Sequence, residues 1–150
     1  MNAEEYLGKR LQDQIDWYSK KSSTNKTFYK TLRTSEIILS ATIPFVSGIT
    51  GVYESFEQTG LIILGIIGVI ISCIAGILSL GQFQEHWIEY RTTCESLKKE
   101  KYLFETGVEP YDNDSAFDLL VHSVEGIVSR ENTYWAKYMK KASKRKNGEN

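Results

Sequence analysis

The chain has few of the residues on which chemistry usually rests. Its two cysteines, Cys73 and Cys94, share no spacing motif, which argues against a disulfide framework or a thiolate metal site. Its two histidines each precede a glutamate by three, His86 with Glu89 and His122 with Glu125. Di-iron bundles use Glu-x-x-His, the reverse order, and His122 falls off the apolar face of its segment, so both histidines read as surface or interfacial. No Gly-rich phosphate loop, nucleophile elbow or paired metal ligands occur. An enzyme is therefore not expected, nor a cofactor or a metal. The first 35 residues are polar and charged, which excludes a signal peptide there.

Charge is missing in one place. Leu61 to Gly81, "LIILGIIGVIISCIAGILSLG", holds no charged residue, no Pro, no Asn and no Gln. The net charge of −1 and mean hydropathy of −0.31 conceal it, because apolar residues crowd the middle third while charge sits at both ends. As a helix, the run is about 31 Å long and apolar on every side, matching the ~30 Å hydrocarbon core of a bilayer. A second apolar segment, Ile37 to Tyr53, precedes it and contains Pro44. Proline is tolerated in a membrane helix, where neighbouring groups satisfy the freed carbonyl. The short link "ESFEQTG" makes the two spans, 37–53 and 61–81, a hairpin.

Lys20, Lys21, Lys26, Lys30 and Arg33 precede the first span, and Arg91, Lys98, Lys99 and Lys101 follow the second. The link carries only Glu54 and Glu57. The positive-inside rule then puts both termini in the cytoplasm of a multi-pass protein.

Both flanks have helical spacing. Leu7, Leu11, Ile15, Tyr18, Ser22, Asn25, Tyr29, Leu32 and Glu36 advance by three or four, predicting a cytoplasmic helix over about 3–36 that runs into the first span. Only Gly8 interrupts it. After the second span, Phe83, Trp87, Tyr90, Cys94, Leu97, Lys101 and Phe104 form a heptad seam over about 82–106, ended by Gly107. Cys94 reads as a packed residue of that seam. Ser115 and Asp118 mark the start of a last helix over about 115–143, with Phe117, Leu120, Val121, Val124, Val128, Glu131, Trp135 and Tyr138 on one face. The fold class expected is an all-α membrane protein, a two-transmembrane hairpin whose long cytoplasmic helices form a bundle. The tail from Lys137 to Lys146 is basic, fitting either a solvated helix end or contact with an anionic lipid leaflet. Without an aromatic platform it does not indicate nucleic-acid binding.

Each span has a distinctive stripe. Gly65, Gly68, Ser72, Gly76 and Ser79 fall within an arc of about 80°, a small-residue face suited to close packing of membrane helices. Glu36, Ser40, Pro44, Ser47, Gly51 and Glu54 occupy a similar arc on the first span. Two readings stand for this face: hydroxyls bonded to their own helix with interfacial acids, or a pore wall. One hairpin cannot enclose a pore, so the second reading requires a homo-oligomer, with Glu54 and Glu57 favouring cations at the outer mouth.

"RLQDQIDWY", "NKTFYKTLRTSEI", "WIEYRTTCESLKKEKYLFETG", "PY" and "VEGIVSREN-YW" together resemble the SLATT group, the SMODS and SLOG-associating two-transmembrane effector domains of bacteria. The resemblance covers almost the whole chain as one domain, 1–150. It is most specific at Trp87, Tyr90, Arg91, Glu95, Leu97, Lys98, Glu100, Tyr102, Phe104, Gly107, Pro110 and Tyr111, and it is nearest to a subgroup classed as a domain of unknown function. It implies a homo-oligomeric effector of the bacterial inner membrane that forms pores or disrupts the bilayer in anti-phage defence, through abortive infection. A nucleotide-signal synthase or sensor would be its partner, since none is fused here. Trp87, Tyr90, Arg91, Glu95, Leu97 and Phe104 would serve cytoplasmic packing or gating, although Arg91 and Glu95 also have the spacing of an intrahelical ion pair. The alternative is a non-conducting membrane scaffold that recruits a cytoplasmic partner through its heptad seam.

Overall fold

The computed structural model describes residues 2–53 and 56–130, and every regular element among them is helical. Helix α1 is Ala3–Val52, α2 is Glu57–Gly81, α3 is Phe83–Thr106 and α4 is residues 116–130. Two 50-residue stretches, Ala3–Val52 and Glu57–Thr106, contain segments long and apolar enough to cross a membrane.

The first helix starts at Asn2, whose side chain accepts from the Glu5 N–H at 2.8 Å. At Gly8 the chain does not break. It takes a π-helical turn over Tyr6–Leu11 instead. An i→i+5 turn rotates less per residue than an α turn, so the position facing the core five residues before Leu11 is Tyr6. Spacing alone put Leu7 there, and Leu7 packs at the edge of the core. From Leu11 the expected seam holds: Leu11, Ile15, Tyr18 and Ser22 are buried, and Asn25, Tyr29, Leu32 and Glu36 are half-buried.

Residues fall into two compact units, one drawn from Met1–Lys21 with Glu89–Asn150, the other Ser22–Ile88. The first is a three-helix core. Leu11, Ile15 and Tyr18 of α1 meet Cys94 and Leu97 of α3 and Leu120 and Val124 of α4. Each fully buried aliphatic side chain contributes roughly 1.5–3 kcal/mol. Helix α3 ends in a Schellman motif: Gly107 takes φ +63°, its N–H donates to Phe104 O at 3.2 Å, and the Val108 N–H donates to Leu103 O at 3.2 Å. The turn that follows carries a cis Glu109–Pro110 bond and buries Tyr111 against Phe104. Asn113 accepts from the Ser115 N–H at 2.9 Å, and the Ser115 carbonyl accepts from Leu119, placing Ser115 as the N-cap of α4. Phe117, Val121 and Val128 pack beside this core, while Glu131, Trp135, Tyr138 and the basic tail lie outside the described residues.

The second unit is an apolar antiparallel hairpin. Its link is shorter than expected, because Glu57 to Gly60 are already helical. Near the link, Gly60 lies against Thr50 so tightly that a Cβ on Gly60 would sit 2.2 Å from Thr50 Oγ1. At the far end Phe28 stacks on Phe83, with centroids 5.9 Å apart. There the Ser22 hydroxyl donates to the Trp87 carbonyl at 3.3 Å, and the Lys26 ammonium lies over the Trp87 ring, 5.7 Å from its centroid. Between these ends the half-buried positions recur at helical spacing, Leu39, Ile43, Val46 and Thr50 on α1, and Ile67, Ile71, Ile74 and Leu78 on α2. Gln82 turns left-handed (φ 44°, ψ 34°) between α2 and α3, and its carbonyl accepts the first α3 bond from His86.

Candidate functional site

Neither stripe read from the sequence lies on the inner face of the hairpin. Ser40, Ser47 and Gly51 are exposed, and Glu36 is half-buried. Glu54 lies outside the described residues. The Ser40 hydroxyl donates to the Glu36 carbonyl at 2.8 Å, so its proton is used on its own helix. Thr42, Thr50 and Ser72 do the same, toward Leu39, Val46 and Gly68. Glu36 pairs with Arg33, Nη1 to Oε2 at 2.7 Å.

On α2, Gly65, Ser72, Gly76 and Ser79 are exposed and Gly68 is half-buried. A Cβ on Gly65, Gly68 or Gly76 would meet nothing within 4 Å. Within one chain, then, this face does not bring α2 close to α1. The close approach is made by Gly60, which the stripe did not include. Small residues allow two helices to approach, but they do not by themselves decide which faces meet.

The α3 residues divide by face. Tyr90 and Leu97 are buried, and Trp87 and Phe104 half-buried, along the expected seam. Trp17 packs edge-on against both Tyr18 and Tyr90. Arg91 and Glu95 point away from the seam. They form an intrahelical ion pair at 3.1 Å, with Lys98 also reaching Glu95 at 3.3 Å. These exposed pairs contribute a few tenths of a kcal/mol.

A polar cluster that sequence spacing did not single out joins α1 to α4. Arg10 grips Glu125 through Nε and Nη2, both at 3.2 Å, and the Tyr6 hydroxyl donates to Glu125 Oε1 at 3.3 Å. Burial first, and then the Glu125 charge and hydrogen bond, push the Tyr6 phenol up to about 12. The hydrogen bond that Arg10 donates to Glu125, and then the Glu125 charge, raise Arg10 further. Glu125 stood out in the sequence only as the acid three residues after His122. Its partners come from the far end of the chain. Tyr111 likewise donates to Glu100, and burial pushes its phenol up. The Cys94 thiol donates to the Ile15 carbonyl at 3.6 Å, and burial raises it above the usual thiol range. That disfavours the thiolate and so a nucleophilic role. Among the described residues no group of three or more His, Cys, Asp or Glu is placed to hold a metal ion.

These features define a class: an all-helical protein in which a small three-helix core accompanies a hairpin of two helices long and apolar enough to cross a membrane. The family described as "Protein of unknown function (DUF4231)" matches residues 13–118, and the chain belongs to it. The matched stretch holds both apolar segments and all of α3, but not Tyr6, Arg10 or Glu125. No curated protein and no solved structure matches the chain.

Proposed function

We propose that the protein is a bacterial inner-membrane effector of the SLATT type, inserted through α1 and α2 with both termini cytoplasmic. It self-associates there and permeabilises the bilayer in anti-phage defence, on a signal from a nucleotide-signal synthase or sensor. The observation that carries this reading is the outward direction of both stripes. Ser40, Ser47 and Gly51 on one helix and Gly65, Ser72 and Gly76 on the other are left uncovered by the hairpin itself. A second copy can use the α2 face for close helix packing, and the α1 face can then turn toward a shared polar path. The excess of Lys and Arg on both sides of the hairpin supports the orientation.

The test is dye and ion release from liposomes carrying the purified full chain, with oligomeric state measured in the same preparation. Ser72→Leu is expected to reduce assembly and leakage together. Verified oligomers in liposomes that stay sealed would refute the pore reading. They would favour a non-conducting scaffold, which exposed Trp17, Ile88 and Tyr102 also support as contacts for a cytoplasmic partner.

A further inference from the structure

The contacts at the two ends of the hairpin fix its register. Gly60 lies beside Thr50, and Phe83 beside Phe28. Counting from the Phe28–Phe83 pair, Lys30 is level with Gly81, Arg33 with Leu78 and Glu36 with Ala75. The apolar run of α2 ends at Gly81, whereas that of α1 ends at Ile37, level with Ile74. The two apolar segments therefore end about 10 Å apart along the hairpin axis, at 1.5 Å per residue. In this step α1 offers Lys30, Arg33 and Glu36 beside the still apolar Ile74 to Gly81.

Lys26, one turn before the step, shares a direction with the cations of the step. Lys26, Lys30 and Arg33 are spaced i, i+4, i+7 and fall within an arc of about 60°. All three are exposed. No Asp or Glu occurs between Asp16 and Glu36, and Glu36 itself pairs with Arg33. Lys26 is held over the Trp87 ring and Arg33 is paired with Glu36, so two of the three cations are positioned by neighbours. An exposed cationic face with an aromatic ring, level with the end of an apolar helix, complements phosphate groups at a bilayer surface.

We propose that Lys26, Lys30 and Arg33 seat the headgroup phosphates of anionic phospholipids, drawing the inner bilayer surface toward Arg33 on the α1 side of the hairpin. The proposal rests on membrane insertion, and on no other part of the effector reading. Long basic side chains that reach from a helix flank to phosphate accommodate a short apolar segment by local thinning of the bilayer.

The full chain is reconstituted in phosphatidylcholine with phosphatidylglycerol, extracted in mild detergent, and its retained lipids are counted by native mass spectrometry. Wild type is expected to keep phosphatidylglycerol over phosphatidylcholine by on the order of fivefold or more, given about a fivefold gain for each cation near an anionic surface. Lys26→Gln/Lys30→Gln/Arg33→Gln should lose that preference, while Lys98→Gln/Lys99→Gln keeps it. Circular dichroism establishes that both variants fold. Equal retention of the two lipids by wild type, or an unchanged preference in the triple variant, would overturn the proposal. So would displacement of phosphatidylglycerol by inorganic phosphate at matched ionic strength, which would mark a site for the free anion. Loss of oligomers by the triple variant in pure phosphatidylcholine would assign the face to a second copy and overturn it as well. Carbonate extraction of the wild type from membranes would overturn the membrane reading along with this proposal, whereas an inserted chain without lipid preference overturns this proposal alone.

Discussion

Gly60→Ala adds one methyl group at the tightest point of the hairpin. The new Cβ would stand 2.2 Å from Thr50 Oγ1, 3.1 Å from its Cγ2 and 3.2 Å from its Cβ. Turning the Thr50 side chain moves the first two atoms but not the third, and it breaks the Oγ1 bond to the Val46 carbonyl. Overpacking of this kind costs about 1–3 kcal/mol. Ala also gains about 0.5–1 kcal/mol over Gly within a helix, so the penalty must be read against a control. Gly76→Ala is that control, since its Cβ meets nothing within 4 Å and only the gain applies. Gly60→Ala should then be about 1–3 kcal/mol less stable than Gly76→Ala. Thr50→Ala removes Oγ1 and Cγ2, leaving a 3.2 Å contact that a shift of a few tenths of an ångström relieves. The Gly60→Ala/Thr50→Ala pair should therefore recover most of the loss, with a coupling energy of about 1–2 kcal/mol. Reversible unfolding in mixed detergent micelles, followed by circular dichroism, measures all four. Gly60→Ala within about 0.5 kcal/mol of Gly76→Ala, or additive single and double variants, would refute this account of the hairpin closure.

Leu97→Ala empties a fully buried position among Cys94, Leu120 and Val124, and should cost about 2–5 kcal/mol in thermal or denaturant unfolding. Tyr6 titrates higher folded, at about 12, than its ordinary value of 10.0. Its contribution is therefore complete below pH 10 and is lost as pH rises through 12. Tyr6→Phe should flatten the fall in stability over that window and remove one high-titrating phenol from the tyrosinate absorbance. Glu95→Ala breaks exposed pairs with Arg91 and Lys98, so unfolding should shift by less than about 0.5 kcal/mol. A large loss of liposome leakage by that variant, with stability intact, would restore a gating role to the pair.

The sequence by itself determined the helices, because each reports its buried face through local spacing. Leu11, Ile15, Tyr18 and Ser22 on α1, and Tyr90, Cys94 and Leu97 on α3, are buried where the three-and-four pattern placed them. Gly107 marked the end of α3 because only a left-handed residue completes the Schellman bonds. Charge asymmetry and the apolar runs were equally local properties. The tertiary structure alone decided the rest. A π turn at Gly8 brought Tyr6 into the core, since one wider turn shifts the helical phase by an amount that spacing does not reveal. Glu125 found Arg10 and Tyr6 across more than a hundred residues of sequence. Above all, the packing of α1 against α2 set the hairpin's inner face and its register. That choice seated Gly60 on Thr50, turned both small-residue stripes outward, and set Lys30 and Arg33 beside the apolar end of α2. A helical wheel gives the faces of one helix, but which of them meets a neighbour, and at what level, depends on the contacts the two helices make.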